Sequence, residues 1–502
     1  MIVAPSPAAP ALGFTSHPVA LRTLFFAELW ERFSYYGMKA LLVLFMVAAV
    51  AEGGLGFTAA DAGRVYGNYT MAVYMLAIPG GFIADRALGA RRSVLIGGWT
   101  IALGHFSLAC PTMPAFYIGL VLIALGTGLF KPNISALVGG LYGRDDDRRD
   151  AGFSLFYMGI NIGAFIAPLV TGFLAQSALF KGWLAAAGFD PGKSWHWGFA
   201  AAGIGMTIAM LIFRKAPLSA ERIAAPIEDK TFWRDSAAVV ALTLSLFGLA
   251  VLSDWESLSW IRWIYVALPL AGIAWALSRG DGDAKRLTAI GIFFVAAMIF
   301  WAIFEQQGST FSLIGDQLTR TEVFGIPFPS SWYQSINPIF VILLTPFAAA
   351  LWLSLGSRQP SSAIKFALGL AFLSTSFLLM VPVAEMTAQG RVSPLWIVAV
   401  FFLMTIGELL ISPVGLATMT RLAPERMTGF VLGLWFLATA FGSKFAGVMG
   451  GAFTSTDPAA LSQSFFWQAM WVAIAACVLL ALAPWVSRLS SPAVNRLTQN
   501  AG

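Results

Sequence analysis

Apolar runs of about twenty residues recur along this chain, divided by short polar stretches. They predict spans near 24–50, 62–86, 92–110, 114–140, 150–176, 195–213, 236–253, 260–278, 286–307, 332–355, 363–383, 393–418, 427–450 and 464–488. A helix crosses a bilayer core in about 20 apolar residues, whereas barrel strands are about ten residues long and alternate. The pattern therefore predicts an all-α integral membrane protein with about fourteen transmembrane helices.

The first span breaks its own pattern. It contains Glu28, Glu31 and Arg32 within five residues, followed by Lys39. A charge at the centre of a membrane helix costs about 3 kcal/mol on insertion scales. At the helical repeat, Glu28, Glu31, Arg32, Tyr35 and Lys39 share one arc about 100° wide. Leu41, Leu42, Leu44, Phe45 and Met46 are left to face lipid or packed neighbours. A polar stripe on an apolar helix is expected where a helix lines a watery cavity.

Composition agrees with a membrane protein. Of 502 residues, 58% are hydrophobic and 11% charged, with mean hydropathy +0.76; soluble domains carry about 25% charged residues. The first twenty residues lack a basic region followed by an apolar core, so no cleavable signal is expected. Cys110 and Cys477 both lie in apolar runs, which argues against disulfides and a cysteine-rich metal site. The net charge of +6 does not signal nucleic acid, because the basic residues fall in short loops. Alternate loops hold Arg86, Arg91, Arg92, Arg144, Arg148, Arg149, Arg222, Lys230, Lys285, Arg286, Arg358, Arg421 and Arg426, while the opposite loops hold few. That asymmetry places both termini in the cytoplasm.

The charged stretch Arg214–Asp235 divides the chain. The organisation expected is a tail over 1–23, a six-helix bundle over 24–213, and a cytoplasmic linker with an inserted two-helix hairpin over 214–285. A second six-helix bundle over 286–488 and a cytoplasmic tail over 489–502 complete it. Six plus two plus six suggests two transporter halves enclosing a site near the bilayer midplane.

Four other spans carry charges: Lys131, Glu305, Glu408 and Lys444. Opposite charges in both halves suit a cavity that binds a zwitterion, with Arg32 and Lys131 receiving a carboxylate and Glu408 an ammonium. Buried carboxylates can also carry protons, because desolvation favours the neutral form and a nearby cation the charged one. Structural ion pairing is the competing reading for Glu28, Glu31, Arg32, Lys131 and Glu408. For Glu305 it is a solvated helix end, and Lys444 is expected to snorkel or pair locally. Asn337, before Pro338, could satisfy backbone freed by the proline. His105 and His196 read as structural.

These strings resemble the proton-dependent oligopeptide transporter family of the major facilitator superfamily. The family pattern E-x-x-E-R-F/Y-x-Y-Y-G is matched at Glu28, Glu31, Arg32, Phe33, Tyr35, Tyr36 and Gly37. Gly80 to Arg92, with Asp85 and Gly89, resembles the superfamily's loop between the second and third helices. Phe153 to Gly163, with Phe156, Tyr157 and Asn161, resembles the second family signature. The strings around Lys131, Glu305, Asn337, Glu408 and Trp435 are also similar, and the two inserted helices are like those of bacterial members.

The resemblance implies a major facilitator fold and a proton-coupled symporter. It would import di- and tripeptides across a bacterial inner membrane by alternating access. It implies that Arg32, Lys131, Tyr35, Tyr36 and Tyr74 receive the peptide carboxylate. Asn161, Asn337 and Glu408 would bind the amino end and backbone, and Trp435 would shape a side-chain pocket. Glu28, Glu31, Arg32, Lys131 and Glu305 would couple protons, and Lys39 with Glu305 would form an outer gate. The second helix has no histidine, so coupling must rest on carboxylates. Protons are the coupling ion, with no metal, no other cofactor and a monomeric functional unit. Lys444 receives no role. A carrier of amino acids, nitrate or other anions is the nearest alternative, and a peptide sensor on the same fold is another. A membrane enzyme would need metal spacing, a P-loop or a serine elbow, none of which the sequence contains.

Overall fold

The computed structural model describes residues 14–143, 146, 148–218, 232–279, 282–423, 428–453 and 456–490. The expected tails up to residue 13 and from residue 491, the linker over 219–231, and Arg144, Arg222, Lys230 and Arg426 lie outside them.

In chain order the helices are α1 (Val19–Val47), α2 (Ala59–Met75), α3 (Ala77–Ile83), α4 (Ala90–Leu108), α5 (Met113–Gly139), α6 (Arg149–Gln176), α7 (Ala178–Ala186), α8 (Ser194–Arg214) and α9 (Phe232–Leu252). They continue as α10 (Ile264–Arg279), α11 (Gly282–Phe304), α12 (Thr310–Leu313), α13 (Ile336–Leu355), α14 (Ser362–Met386), α15 (Pro394–Leu422), α16 (Thr428–Gly451) and α17 (Pro458–Ser490). Among the described residues, twelve segments are long and apolar enough to cross a membrane. Two further long helices bring the total to fourteen. Helix α1 is 29 residues long and interrupted by charge, and α4 is 19 residues long and opens on Arg91 and Arg92.

Most expected spans coincide with these helices to within a few residues. The second does not run unbroken over 62–86. Helix α2 stops at Met75, α3 restarts at Ala77, and a π turn covers Ala84–Leu88. Pro79 lies just beyond the break, where its missing N–H and ring forbid a regular hydrogen-bond ladder.

Grouping by packing cuts across chain order. Residues Met1–Thr58, Ala72–Ser245 and Thr321–Ile342 form unit 1, and Ala59–Met71, Leu246–Arg320 and Leu343–Gly502 form unit 2. The expected bundles followed chain order alone, so they did not anticipate these two exchanged segments.

Unit 1 is built around α1, which packs on α6 and α8, and α4, which packs on α5 and α8. Small residues let α4 and α5 approach closely. A Cβ on Gly97 would lie 2.6 Å from the Gly126 carbonyl oxygen, and one on Gly104 would lie 2.8 Å from that of Gly119. Membrane helices pack in this way because van der Waals contact, not hydrophobic burial, holds them together in lipid. The segment before α13 is tied to α6 by three hydrogen bonds. Gln176 Nε2 donates to Ser330 Oγ at 2.8 Å, Ser335 Oγ to the Phe165 carbonyl at 2.8 Å, and Trp332 Nε1 to the Leu169 carbonyl at 3.1 Å. It carries a hairpin, β1 (Glu322–Val323) and β2 (Ile326–Pro327), turned by Phe324 and Gly325 at φ 52° and 78°.

In unit 2, α14 packs on α15 and α17, α11 on α16 and α17, and α10 on α11. Its core is aromatic: Phe311 faces Phe377 at 5.6 Å between ring centroids, and Phe293 faces Phe366 at 4.9 Å.

Candidate functional site

The first-helix stripe folds into one buried ion cluster in unit 1. Arg32 Nε lies 3.0 Å from Glu28 Oε1, one helical turn away, and also donates to Glu31 Oε2. All three side chains are at most 5% exposed. One cation thus faces two carboxylates. Glu28 Oε2, Glu31 Oε1 and Arg32 Nη2 are buried with no hydrogen-bond partner. A buried polar atom left unsatisfied costs about 1–3 kcal/mol, more when charged, so these atoms mark where a proton or ligand group would be most welcome.

Further sequence-predicted residues join the cluster. The Arg32 guanidinium lies 5.4 Å from the Tyr35 ring centroid, and Tyr35 meets the half-buried Tyr36 edge-on at 5.3 Å. Lys131 on α5 is half-buried and within electrostatic reach of Glu28 and Glu31. Its ammonium lies 4.2 Å from the Tyr74 ring centroid, a cation–π distance. Asn161 on α6 is buried, and its Nδ2 donates to the Tyr157 carbonyl at 2.9 Å. Its side-chain oxygen is the part not engaged in that bond. Asn337 and Lys39 are also in unit 1, both half-buried.

Unit 2 holds the acidic residues of the opposite half. Glu408 is half-buried on α15, and seven residues further on the same helix face is Gly415. The Trp435 indole of α16 lies over Gly415, at a distance that any Cβ there would violate. That glycine explains how a buried tryptophan fits beside the face that presents Glu408.

Glu305 follows the last residue of α11 and is buried, at 4% exposure. The solvated helix end considered for it is therefore not what forms. Tyr66 of α2 donates from its hydroxyl to the Glu305 carbonyl at 3.2 Å and to Oε2 at 3.4 Å. Sequence reading missed Tyr66, although it lies one helical turn from Gly63 on a face poor in bulky residues.

Lys444 neither snorkels nor pairs locally. It is 1% exposed and forms an ion pair with Asp254, 190 residues away, and a hydrogen bond to Asn68. A lone buried ammonium is too costly to keep, so the chain brings it an acid from the inserted hairpin. Asp254 and Asn68 were also missed. The available signal was a lysine within an apolar span and an acid in the loop of the inserted hairpin, neither with another role.

Outside the spans, Arg148 brackets the loop before α6. Its Nη2 meets Asp146 Oδ2 at 2.9 Å, and its Nη1 donates to the Ser16 carbonyl at 2.9 Å. The Arg148 side chain and backbone N–H hold the Asp146 carboxyl down to about 2.

Comparison with known proteins places this architecture. The family model described as PTR2, the POT family, matches residues 91–467. The peptide transporter YePEPT of Yersinia enterocolitica is 40% identical, over 95% of this chain and 96% of that protein. A di-/tripeptide transporter of Lactococcus lactis is 37% identical over 85% and 87%. Among solved structures, a mutant of the peptide transporter POT bound to alafosfalin matches with TM-score 0.83 and 36% identity, covering 96% of this chain and 97% of that one. A POT family transporter bound to 5-aminolevulinic acid matches with TM-score 0.81 and 30% identity, covering 95% and 98%. The fold is thus the all-α major facilitator fold, and the chain is a multi-pass membrane protein that belongs to the POT family.

Proposed function

We propose that the chain is a proton-coupled symporter that imports di- and tripeptides across the bacterial inner membrane by alternating access, with both termini cytoplasmic. The observation that carries this reading is the buried Glu28–Glu31–Arg32 cluster, in which one guanidinium serves two carboxylates and an oxygen of each is left over. Such an acid can accept a proton without breaking the other's ion pair. The share of the guanidinium that it gives up is then available to a peptide carboxylate, which links the two bound species.

A peptide's charged ends and amides are costly to desolvate, so the site must replace water with charged and polar partners. Arg32 and Lys131, backed by Tyr35, Tyr36 and Tyr74, hold the carboxylate. Glu408 holds the ammonium, Asn161 and Asn337 hold the backbone, and Trp435 bounds a side-chain pocket. Lys39 and Glu305 gate the outer end. These anchors grip what all short peptides share and leave side-chain choice to roomier surroundings. The proton gradient drives the cycle: each charge moved through 100 mV is worth about 2.3 kcal/mol. The cycle needs no metal, no other cofactor and no catalytic group, and the monomer suffices. The peptide transporters among its relatives support the substrate class.

The test is uptake of labelled dialanine and trialanine into liposomes holding the purified protein, under an imposed pH gradient. Uptake is expected to follow the gradient, to collapse with an uncoupler, and to resist competition by nitrate or free amino acids. Glu28→Gln and Glu31→Gln are expected to lose gradient-driven uptake while keeping counterflow. Normal gradient-driven uptake by both variants would sink the proton-coupling assignment. Strong competition by 5-aminolevulinic acid or amino acids, but not dialanine, would move the substrate to another small zwitterion.

A further inference from the structure

Three segments of unit 2 meet at Lys444, one of them its own helix. Its ammonium donates to Asp254 Oδ1 at 2.6 Å and to Asn68 Oδ1 at 2.6 Å, and Asn68 Nδ2 donates to Asp254 Oδ2 at 2.7 Å. The three contacts close a ring in which the amide gives one hydrogen bond and accepts another. Both carboxylate oxygens are engaged, and the only acid in the ring sits against its only base. Asp254 stands at the tip of the inserted hairpin between α9 and α10, Asn68 is on α2, and Lys444 is on α16.

The ring is braced on two sides. The hairpin meets α16 a second time where Tyr265 packs on Phe441, one turn before Lys444, at 4.6 Å between ring centroids. Arg262 Nη2 donates to the Ser253 carbonyl at 2.8 Å, shaping the tip. On the other side α2 presses on α16, so that a Cβ on Gly67 would lie 3.1 Å from the Lys444 carbonyl oxygen and 3.1 Å from Gly447 Cα. Helix α2 therefore has one rotational setting here, and turning it would break the ring. Two residues before Asn68 in the same setting, Tyr66 reaches Glu305.

We propose that Lys444 and Asp254 are positioning residues of the transport cycle, through which the tip of the inserted hairpin fixes α2 and so keeps Tyr66 on Glu305. The inserted hairpin is then a working limb of the carrier. This rests on the gating role given to Glu305 above. Among the described residues, Arg64 and Arg262 are also cations within electrostatic reach of Lys444, and Arg64 is itself paired with Asp61. Asp254 is accordingly the acid that neutralises the ring.

The full-length protein in liposomes tests this, with Vmax and KM for dialanine read separately. The neutral pair Lys444→Met/Asp254→Leu removes both charges at once and strands neither. It is expected to lower Vmax about tenfold with KM within about twofold, the pattern of a lost step, not lost substrate binding. Combined with Glu305→Gln, it is expected to be no slower than the slower parent, because residues on one route do not act independently. A wild-type Vmax in the neutral pair overturns the proposal, since the ion pair would then serve only its own burial. So does a combined variant in which the two losses multiply. Wild-type transport by Glu305→Gln alone sinks the gating role itself, and the route through Tyr66 with it. Should the neutral pair not fold, Tyr66→Phe tests the same route without touching a charge. About threefold lower Vmax at unchanged KM is expected, and an unchanged Vmax overturns the proposal.

Discussion

The charge cluster on α1 and the charge ring at Lys444 are built from similar groups to opposite ends. In the first, one arginine serves two acids within a single helix, and an oxygen of each acid and a guanidinium nitrogen are left over. In the second, one lysine, one aspartate and one amide come from three distant segments, and both carboxylate oxygens and both amide atoms are used. An open cluster can change its protonation or accept a ligand without dismantling itself. A closed ring resists both and instead holds backbone in place. The difference separates a cluster with polar atoms to spare from one with none, although both are built from charges in a largely apolar sequence.

The sharpest way to break the comparison is Arg32→Leu. It leaves two buried carboxylates without the guanidinium they share, and stranding one partner of a buried pair costs about 3–5 kcal/mol. Uptake is expected to fall at least about a hundredfold, with a lower thermal midpoint that partly recovers when Glu31→Gln is added. No recovery would mean that the two acids are not stranded as like charges once the guanidinium is gone. Lys444→Gln ranks next. Asn68 still donates to Asp254, whose side chain is 10% exposed, so the loss belongs at the lower end of that range, about 3 kcal/mol. Thermal unfolding in detergent measures it, and a change below about 1 kcal/mol would place the ring among ordinary surface pairs.

Gly415→Ala probes packing in place of charge. The added methyl collides with the Trp435 indole, and overpacking costs about 1–3 kcal/mol. Affinity for peptides with bulky side chains is expected to change more than affinity for dialanine, and equal changes would remove Trp435 from the pocket. The smallest effect is expected at Asp146. Its carboxyl is held at about 2 by Arg148, below the ordinary value of about 3.9. Its stabilising contribution is therefore complete above that ordinary value and is lost only as pH falls through about 2. Asp146→Asn should leave the pH profile of uptake between pH 5 and 8 unchanged. A shift in that window would tie this loop to proton coupling.

The spans were legible because an apolar run of the right length has few other uses. The open cluster was legible because its members are neighbours on one helix, where spacing alone brings them together. The ring was not, since Asn68, Asp254 and Lys444 are 186, 190 and 376 residues apart and no local period joins them. The break after Met75 was hidden because Pro79 sits in a continuous apolar run, and hydropathy does not register a lost N–H. The hairpin over Glu322–Pro327 was hidden for a different reason. Its two-residue turn has both residues at positive φ, a setting usually filled by Asn-Gly, and here Phe324 takes the first place.

Helix α1 has a consequence for how the protein is made. It precedes the other described membrane helices in the chain, and it carries Arg22, Glu28, Glu31, Arg32 and Lys39 along 29 residues. Alone in lipid it would be a poor membrane segment, for each central charge counts against insertion by about 3 kcal/mol. In the finished protein α6 and α8 pack against it. Both are synthesised more than a hundred residues later. Stable membrane integration of the first segment is thus expected to await the sixth and eighth helices. Chains truncated before Arg149 should leave α1 extractable or exposed to degradation, which makes its charged stripe a burden during biogenesis.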